Sequence, residues 1–120
     1  MTEVLAHAKH VPMPARKVRR VISQVRGMDA EAALEMLRFL PHAAARPVEK
    51  LVRSAVANAE QNFEIPRSDL YIAQIMADDG PGVMPGKGLR RRFGGRGRWR
   101  PIRKRSSHIT VVLEERELEE

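Results

Sequence analysis

Cysteine is absent from this 120-residue chain. That excludes a disulfide framework, a thiolate metal site and a cysteine nucleophile. No apolar run approaches the roughly 20 residues of a membrane span. Residues 1–10 contain no apolar core of the signal-peptide kind, so secretion is not expected. Aromatic side chains are few: three Phe, one Trp and one Tyr. The most telling shortage is local. Residues 86–105 hold no Asp or Glu, yet ten of these twenty are cations: Lys87, Arg90, Arg91, Arg92, Arg96, Arg98, Arg100, Arg103, Lys104 and Arg105.

The chain carries 22 Lys and Arg, 15 Asp and Glu, and a formal charge of +7. Outside residues 86–105 the balance is therefore twelve cations against fifteen acids. A +10 segment is joined to a body of −3. So dense a run repels itself and needs a polyanion. Its many glycines favour close approach to a phosphate backbone. A merely solvated loop would normally include compensating acids. The length indicates one domain with a modest core. An intracellular, soluble, nucleic-acid-associated protein is the expectation.

Residues 4–11 (VLAHAKHV) alternate, with Val4, Ala6 and Ala8 on one side and Leu5, His7 and Lys9 on the other, which predicts a strand. Pro12 and Pro14 end it. Residues 15–26 form a predicted helix with Val18, Val21, Ile22 and Val25 in one apolar stripe. Gly27 suits the left-handed position after it, and Asp29 the N-cap of a second helix over 30–40, with Ala33, Leu34 and Leu37 buried. A third helix starts between Ala43 and Pro47 and ends near Asn62. Its stripe is Val48, Leu51, Val52, Ala55, Val56 and Ala59. Residues 70–77 (LYIAQIMA) and 109–113 (ITVVL) read as strands.

Thirty residues between those strands would be an unusual structureless loop. The expected solution is that both strands continue outward as one long ribbon, reaching roughly 40 Å. Asp79, Gly80 and Pro81 would turn the chain at its start. Gly86, Gly88, Gly94, Gly95 and Gly97 weaken regular pairing, so the tip is expected to order with its partner. The organisation is then a body of 1–80 and 106–115, an arm of 81–105, and a frayed acidic tail over 116–120, with the acidic character beginning at Glu114.

Arginines of the arm are read as phosphate clamps. Trp99, between Arg98 and Arg100, either stacks on an unpaired base or packs on the ribbon itself, and Phe93 poses the same choice. A second acid-free basic patch comprises Lys9, His10, Arg16, Lys17, Arg19, Arg20 and Arg26. An ordinary solvated helix face would mix in acids, so nucleic acid is the better reading. His7, His10, His42 and His108 form no convincing metal set, since His7 and His10 should lie on opposite faces of their strand. Asp78 and Asp79 are turn residues rather than an acid–base pair. No P-loop order occurs. The chain offers no convergent catalytic set, and neither an enzyme nor a cofactor is expected. A free RNA-binding protein with a disordered FGGRGR tail is an alternative. The strand that closes the segment argues against a tail.

Motifs at residues 6–10 (AHAKH), 15–21 (ARKVRRV), 26–27, 31–37, 44–62 (ending SAVANAEQN), 79–81, 97–98 and 104–112 (KRSSHITVV) occur in an order that closely resembles the bacterial large-subunit ribosomal protein L-twenty-two family. The resemblance covers nearly the whole chain. It implies an α+β fold: a small three-stranded antiparallel sheet packed with three helices, plus a long protruding basic β-hairpin. It also implies a structural role in the large ribosomal subunit. The partners would be several domains of large-subunit rRNA, neighbouring ribosomal proteins and the nascent polypeptide, with no membrane and no small-molecule substrate. The hairpin would line the polypeptide exit tunnel, and binding would come early in assembly. Its tip, bordering the constriction where macrolides act, would correspond to Leu89, Arg90, Arg91, Arg92, Phe93, Gly94, Gly95 and Arg96. A general rRNA role carries over to Arg90, Arg96, Arg98, Lys104, Arg105 and His108. This chain departs from the family pattern by about five extra residues over 82–88, and by Phe93-Gly94-Gly95 in place of a Pro-Arg-Ala run. Individual tunnel-wall contacts are therefore not carried over.

If about six cations meet phosphates, affinity for RNA should fall about a thousandfold between roughly 50 and 200 mM salt. Filter binding across that range checks this, and a flat salt response would remove phosphate neutralisation as the basis of binding.

Overall fold

The computed structural model describes residues 3–80, 89–93, 99–103 and 105–116, with only the backbone described for 89–93 and 99–103. The elements run β1 (Glu3–Val11), α1 (Ala15–Val25), α2 (Ala30–Phe39), α3 (Ala45–Asn62), a single 3-10 turn (Arg67–Asp69), β2 (Leu70–Asp79), β3 (Leu89–Phe93), β4 (Trp99–Arg103) and β5 (Ser107–Glu115). One antiparallel sheet has the order β1-β5-β2, and β3 pairs with β4 in a second. The expected α+β class holds. Extents of 72 × 25 × 17 Å and a radius of gyration of 17.6 Å exceed the roughly 14 Å radius of a compact chain this long.

The apolar stripes explain the body. Val18, Val21, Ile22 and Val25 of α1 are buried, as are all six stripe residues of α3. Each fully buried Val, Leu or Ile contributes about 1.5–3 kcal/mol. Ala55 and Ala59 let α3 lie close to its neighbours. Pro47 sits in the first turn of α3, where its missing N–H breaks no helical bond. Gly27, just past α1, takes φ +81°, as its position required.

Two bulges reconcile the strands with their side chains. On β2, Ile72 opposes Leu113 and Gln74 opposes Val112, leaving Ala73 extra. The inward set thereby switches from Leu70 and Ile72 to Ile75 and Ala77. Regular alternation without the bulge would turn Gln74 and Met76 to the core. On β1 the register shifts between Ala8 and Val11, and His10 takes φ 57°. Val11 becomes buried and His10 is turned outward. The expectation that His7 and His10 occupy opposite faces is thus corrected: His7 meets Thr110 and His10 meets His108, two residues apart on one face of β5.

Other expectations change too. Asp29 holds the N-cap position of α2 but makes no side-chain cap bond; its Oδ1 accepts from Arg116 Nε at 2.6 Å. Arg116 also lies 4.8 Å over the Tyr71 ring, and Tyr71 donates to Glu114 Oε2 at 2.7 Å. Glu114 and Glu115 close β5 and Arg116 is anchored, so the chain is not frayed there; residues 117–120 lie outside the described residues. Asp78 and Asp79 finish β2, paired with His108 and Ser107, rather than forming a turn.

Only part of the expected ribbon lies within the described residues, and its link to the body falls outside them. Gly80 N–H donates to Ser106 O at 2.9 Å, and the next described pair outward is Leu89 with Arg103. Eight residues (81–88) separate these points on the outgoing limb and two (104 and 105) on the return. Among the described residues β3–β4 forms its own two-stranded ladder. At the root, a Cβ on Gly80 would overlap Ser106 Oγ and crowd the Ser106 carbonyl atoms at 3.2 Å. Ser106 and Ser107 are buried, and their hydroxyls have no partner among the described residues. Gly80→Ala should cost about 1–3 kcal/mol, as overpacking does. Thermal melts check this, and Ser106→Ala in the same chain should recover part of the loss.

Candidate nucleic-acid interface

Lys9 and His10 sit at the β1 bulge, exposed. The His10 backbone N–H donates to His108 Nδ1 at 3.1 Å, and the two rings meet edge-on at 5.0 Å. Nδ1 of His108 is the acceptor in this contact. His7 Nδ1 lies 3.1 Å from Thr110 Oγ1. Among the described residues no group of His, Asp or Glu could hold a metal.

Pro14 caps α1 and places Arg16 and Lys17 in its first turn, which contains no acid. Cations at this end oppose the helix dipole, at a cost of about 0.3–1 kcal/mol each. A phosphate there would satisfy both the cations and the free N–H groups. Arg16, Arg19 and Arg105 line a cleft of about 790 Å³ with Pro12, Pro14, Ala15 and Asp79. Lys17 and Arg20 line another of about 260 Å³, which His42 and Ala43 also border. His42 joins the α1 cations only through the fold, and nothing in the linear sequence marks it as their neighbour.

Not every basic residue is free for a partner. Arg19 Nε donates to Ala77 O at 3.1 Å and Arg26 Nη2 to Ile75 O at 3.0 Å. Gly27 N–H donates to Ile72 O, and Ile72 N–H to Met28 O. Together these cover the outer edge of β2, which would otherwise expose unpaired backbone groups. The ion pairs among the described residues lie elsewhere: Arg46 and Arg53 with Glu49, Arg67 with Glu60, and Arg116 with Asp29. Arg67 holds the Glu60 carboxyl below its ordinary pKa through their hydrogen bond. Lys9, Arg16, Lys17, Arg19, Arg20 and Arg105 take part in none of these pairs.

The arm contributes register. Arg92 stands opposite Arg100, Leu89 opposite Arg103 and Phe93 opposite Trp99. Directly opposed like charges destabilise a ladder, Pro101 removes one donor, and two strands alone are marginal. Arg90 and Arg91 lie in β3 opposite Ile102 and Pro101. Lys87, Gly94, Gly95, Arg96, Arg98 and Lys104 lie outside the described residues.

Fold and surface together define a small α+β protein that presents cations outside the ion pairs of the described residues at one end of its sheet and carries a basic hairpin. The chain belongs to the family described as ribosomal protein L22p/L17e, whose model matches residues 6–114. It is similar to proteins named large ribosomal subunit protein uL22. The Cutibacterium acnes protein is 49% identical over 93% of this chain and 70% of its own length. That of Pediococcus pentosaceus is 43% identical over 98% and 95%, and that of a Synechococcus strain 48% identical over 92% and 86%. The chain is a structural constituent of the ribosome and not an enzyme.

Arg26→Met should lower stability by about 1–2 kcal/mol, because a carbonyl on the β2 edge loses a charged donor. Arg20→Gln should leave the melting curve within about 0.5 kcal/mol yet reduce the salt slope of RNA binding by about one. Paired melts and salt titrations of the two variants check this separation.

Proposed function

We propose that this protein binds large-subunit rRNA in the cytoplasmic ribosome, aids its assembly, and sends its hairpin along the polypeptide exit tunnel. The observation that carries the reading is the set of exposed α1 and β1 cations that take part in none of the ion pairs among the described residues. Those charges lie at the sheet end from which the 81–105 arm departs. The mechanism is charge neutralisation. Arg16, Lys17, Arg20 and Lys9 anchor the body on phosphates, while the arm's ten cations let RNA helices approach one another around it. Body and arm then have separate duties: residues 1–80 and 106–115 fold and dock, and 81–105 threads between RNA segments. The uL22 relatives are named for the large subunit, which supports this placement. The acidic C-terminal end of β5 and the residues after it would point away from the RNA.

The native protein should co-sediment one-to-one with the large subunit through a gradient. Deleting 86–100 should leave the body's thermal transition in place while weakening incorporation and altering chemical protection of tunnel nucleotides. Loss of the transition would mean that the arm is part of the core. Absence from the subunit peak would overturn the function.

A further inference from the structure

His10 takes a positive φ of 57° without being glycine. A residue with a Cβ stays in that region only where its surroundings hold it. Burial does not hold His10, which is exposed. Two contacts do, and both go to His108 of β5. The His10 backbone N–H donates to His108 Nδ1 at 3.1 Å, and the two rings meet edge-on at 5.0 Å. The register shift between Ala8 and Val11 falls at the same point. The strain of one left-handed residue and the gain from one hydrogen bond are of like size. Losing the bond is therefore enough to change the bulge.

The acceptor is one that a proton abolishes. Imidazolium carries a proton on both ring nitrogens and can only donate. Imidazole is also the side chain that ordinarily changes charge between about pH 5 and 8. The charges around this contact are mixed. On β1 they are Lys9, His10 itself and His7, which lies against Thr110. Lys50 of α3 borders the same cleft of about 390 Å³ as His7, Lys9 and His10. On β2, Asp78 stands opposite His108 and Asp79 opposite Ser107. Arg105 precedes β5 and shares a cleft with Asp79 and with Arg16 and Arg19 of α1. Cross-strand partners lie on one face of a sheet. Asp78 thus offers a protonated His108 an ionic partner, while Lys9, Lys50 and Arg105 supply none. A charged His10 would repel it across the edge-on contact.

We propose that His108 is a pH-sensitive latch on the β1 bulge. As a neutral ring it holds the His10 backbone in its left-handed conformation. Once protonated it releases that N–H and turns to Asp78, and the bulge relaxes. The Lys9 end of β1 is thereby fixed in the neutral state and freed in acid. The device belongs to the fold and needs no RNA, so it stands or falls apart from the function proposed above. The test is an NMR titration of the free, full chain from about pH 8 to about pH 5. The His10 amide proton should shift upfield, and the NOE between the His10 and His108 rings should be lost, both in step with the titration of the His108 ring. His108→Asn keeps an acceptor that does not titrate, and its residue-10 amide should stay in place across the range. His10→Asn keeps the backbone donor and suits a positive φ, and its amide should respond as wild type does. A His10 amide that does not move while the His108 ring titrates would overturn the latch. A wild-type response in His108→Asn, or none in His10→Asn, would also overturn it, because another group would then be responsible. So would loss of the Ile109 and Val111 core signals over the same range, since the change would then be unfolding.

Discussion

The pairing of β5 with two much earlier strands is the constraint on which everything else depends. β5 comes last among the strands in the chain and lies in the middle of the sheet. Its partner β1 begins the described chain, so closing the sheet means closing a loop of about a hundred residues, a cost set mainly by chain entropy. The inward row Ile109, Val111 and Leu113 is buried and offsets that cost. Once β5 is seated, charge placement follows from register. Ser107 stands opposite both Val11 and Asp79. The Lys9 bulge, the end of β2 and Arg105 therefore gather at one end. At the other end Glu114 opposes Glu3, and Glu115 opposes Leu70.

That polarity separates stability from binding. Exposed ion pairs contribute only about 0–1 kcal/mol, so using cations to neutralise acids would gain the fold little. The acids that are paired use Arg46, Arg53, Arg67 and Arg116. The α1 cations stay uncompensated, and Arg16 and Lys17 sit at the unfavourable end of the helix dipole. The fold tolerates this because Val18, Val21, Ile22 and Val25 hold α1 to the core. Arg19 and Arg26 bind α1 to the edge of β2 instead of facing solvent alone. One helix thus covers a strand edge with two arginines and leaves Arg16, Lys17 and Arg20 exposed.

Periodicity made much of this visible in the sequence. The stripes of α1 and α3, the alternation of β1 and the β-branched run of β5 are local patterns that burial enforces residue by residue. Family motifs added the sheet and the hairpin. What stayed hidden depended on residues distant in the chain. Ala73 reads as an ordinary strand residue, and only the facing of Gln74 and Met76 reveals that it is extra. Asp29 looks like a cap because Ala30 opens a helix, but Arg116, 87 residues on, claims its carboxylate. Lys50 sits in a helix whose paired neighbours suggest a solvated face. Only the fold brings it alongside Lys9 and His10.

The arm joins two ladders by limbs of unequal length. Eight outgoing residues face two on the return between the Gly80–Ser106 contact and the Leu89–Arg103 pair. An insertion inside a continuous ladder would flip every later side chain if its length were odd. Placed between two separate ladders, it leaves both registers intact whatever its length. The body's ladder ends at a glycine that only a residue without Cβ can bring against Ser106. β3–β4 restarts with arginines facing arginine and proline. A ladder so charged gains little from its own pairing, and on the proposed reading a surrounding polyanion would supply the rest. The body sets where the arm begins, and the RNA would set where it goes.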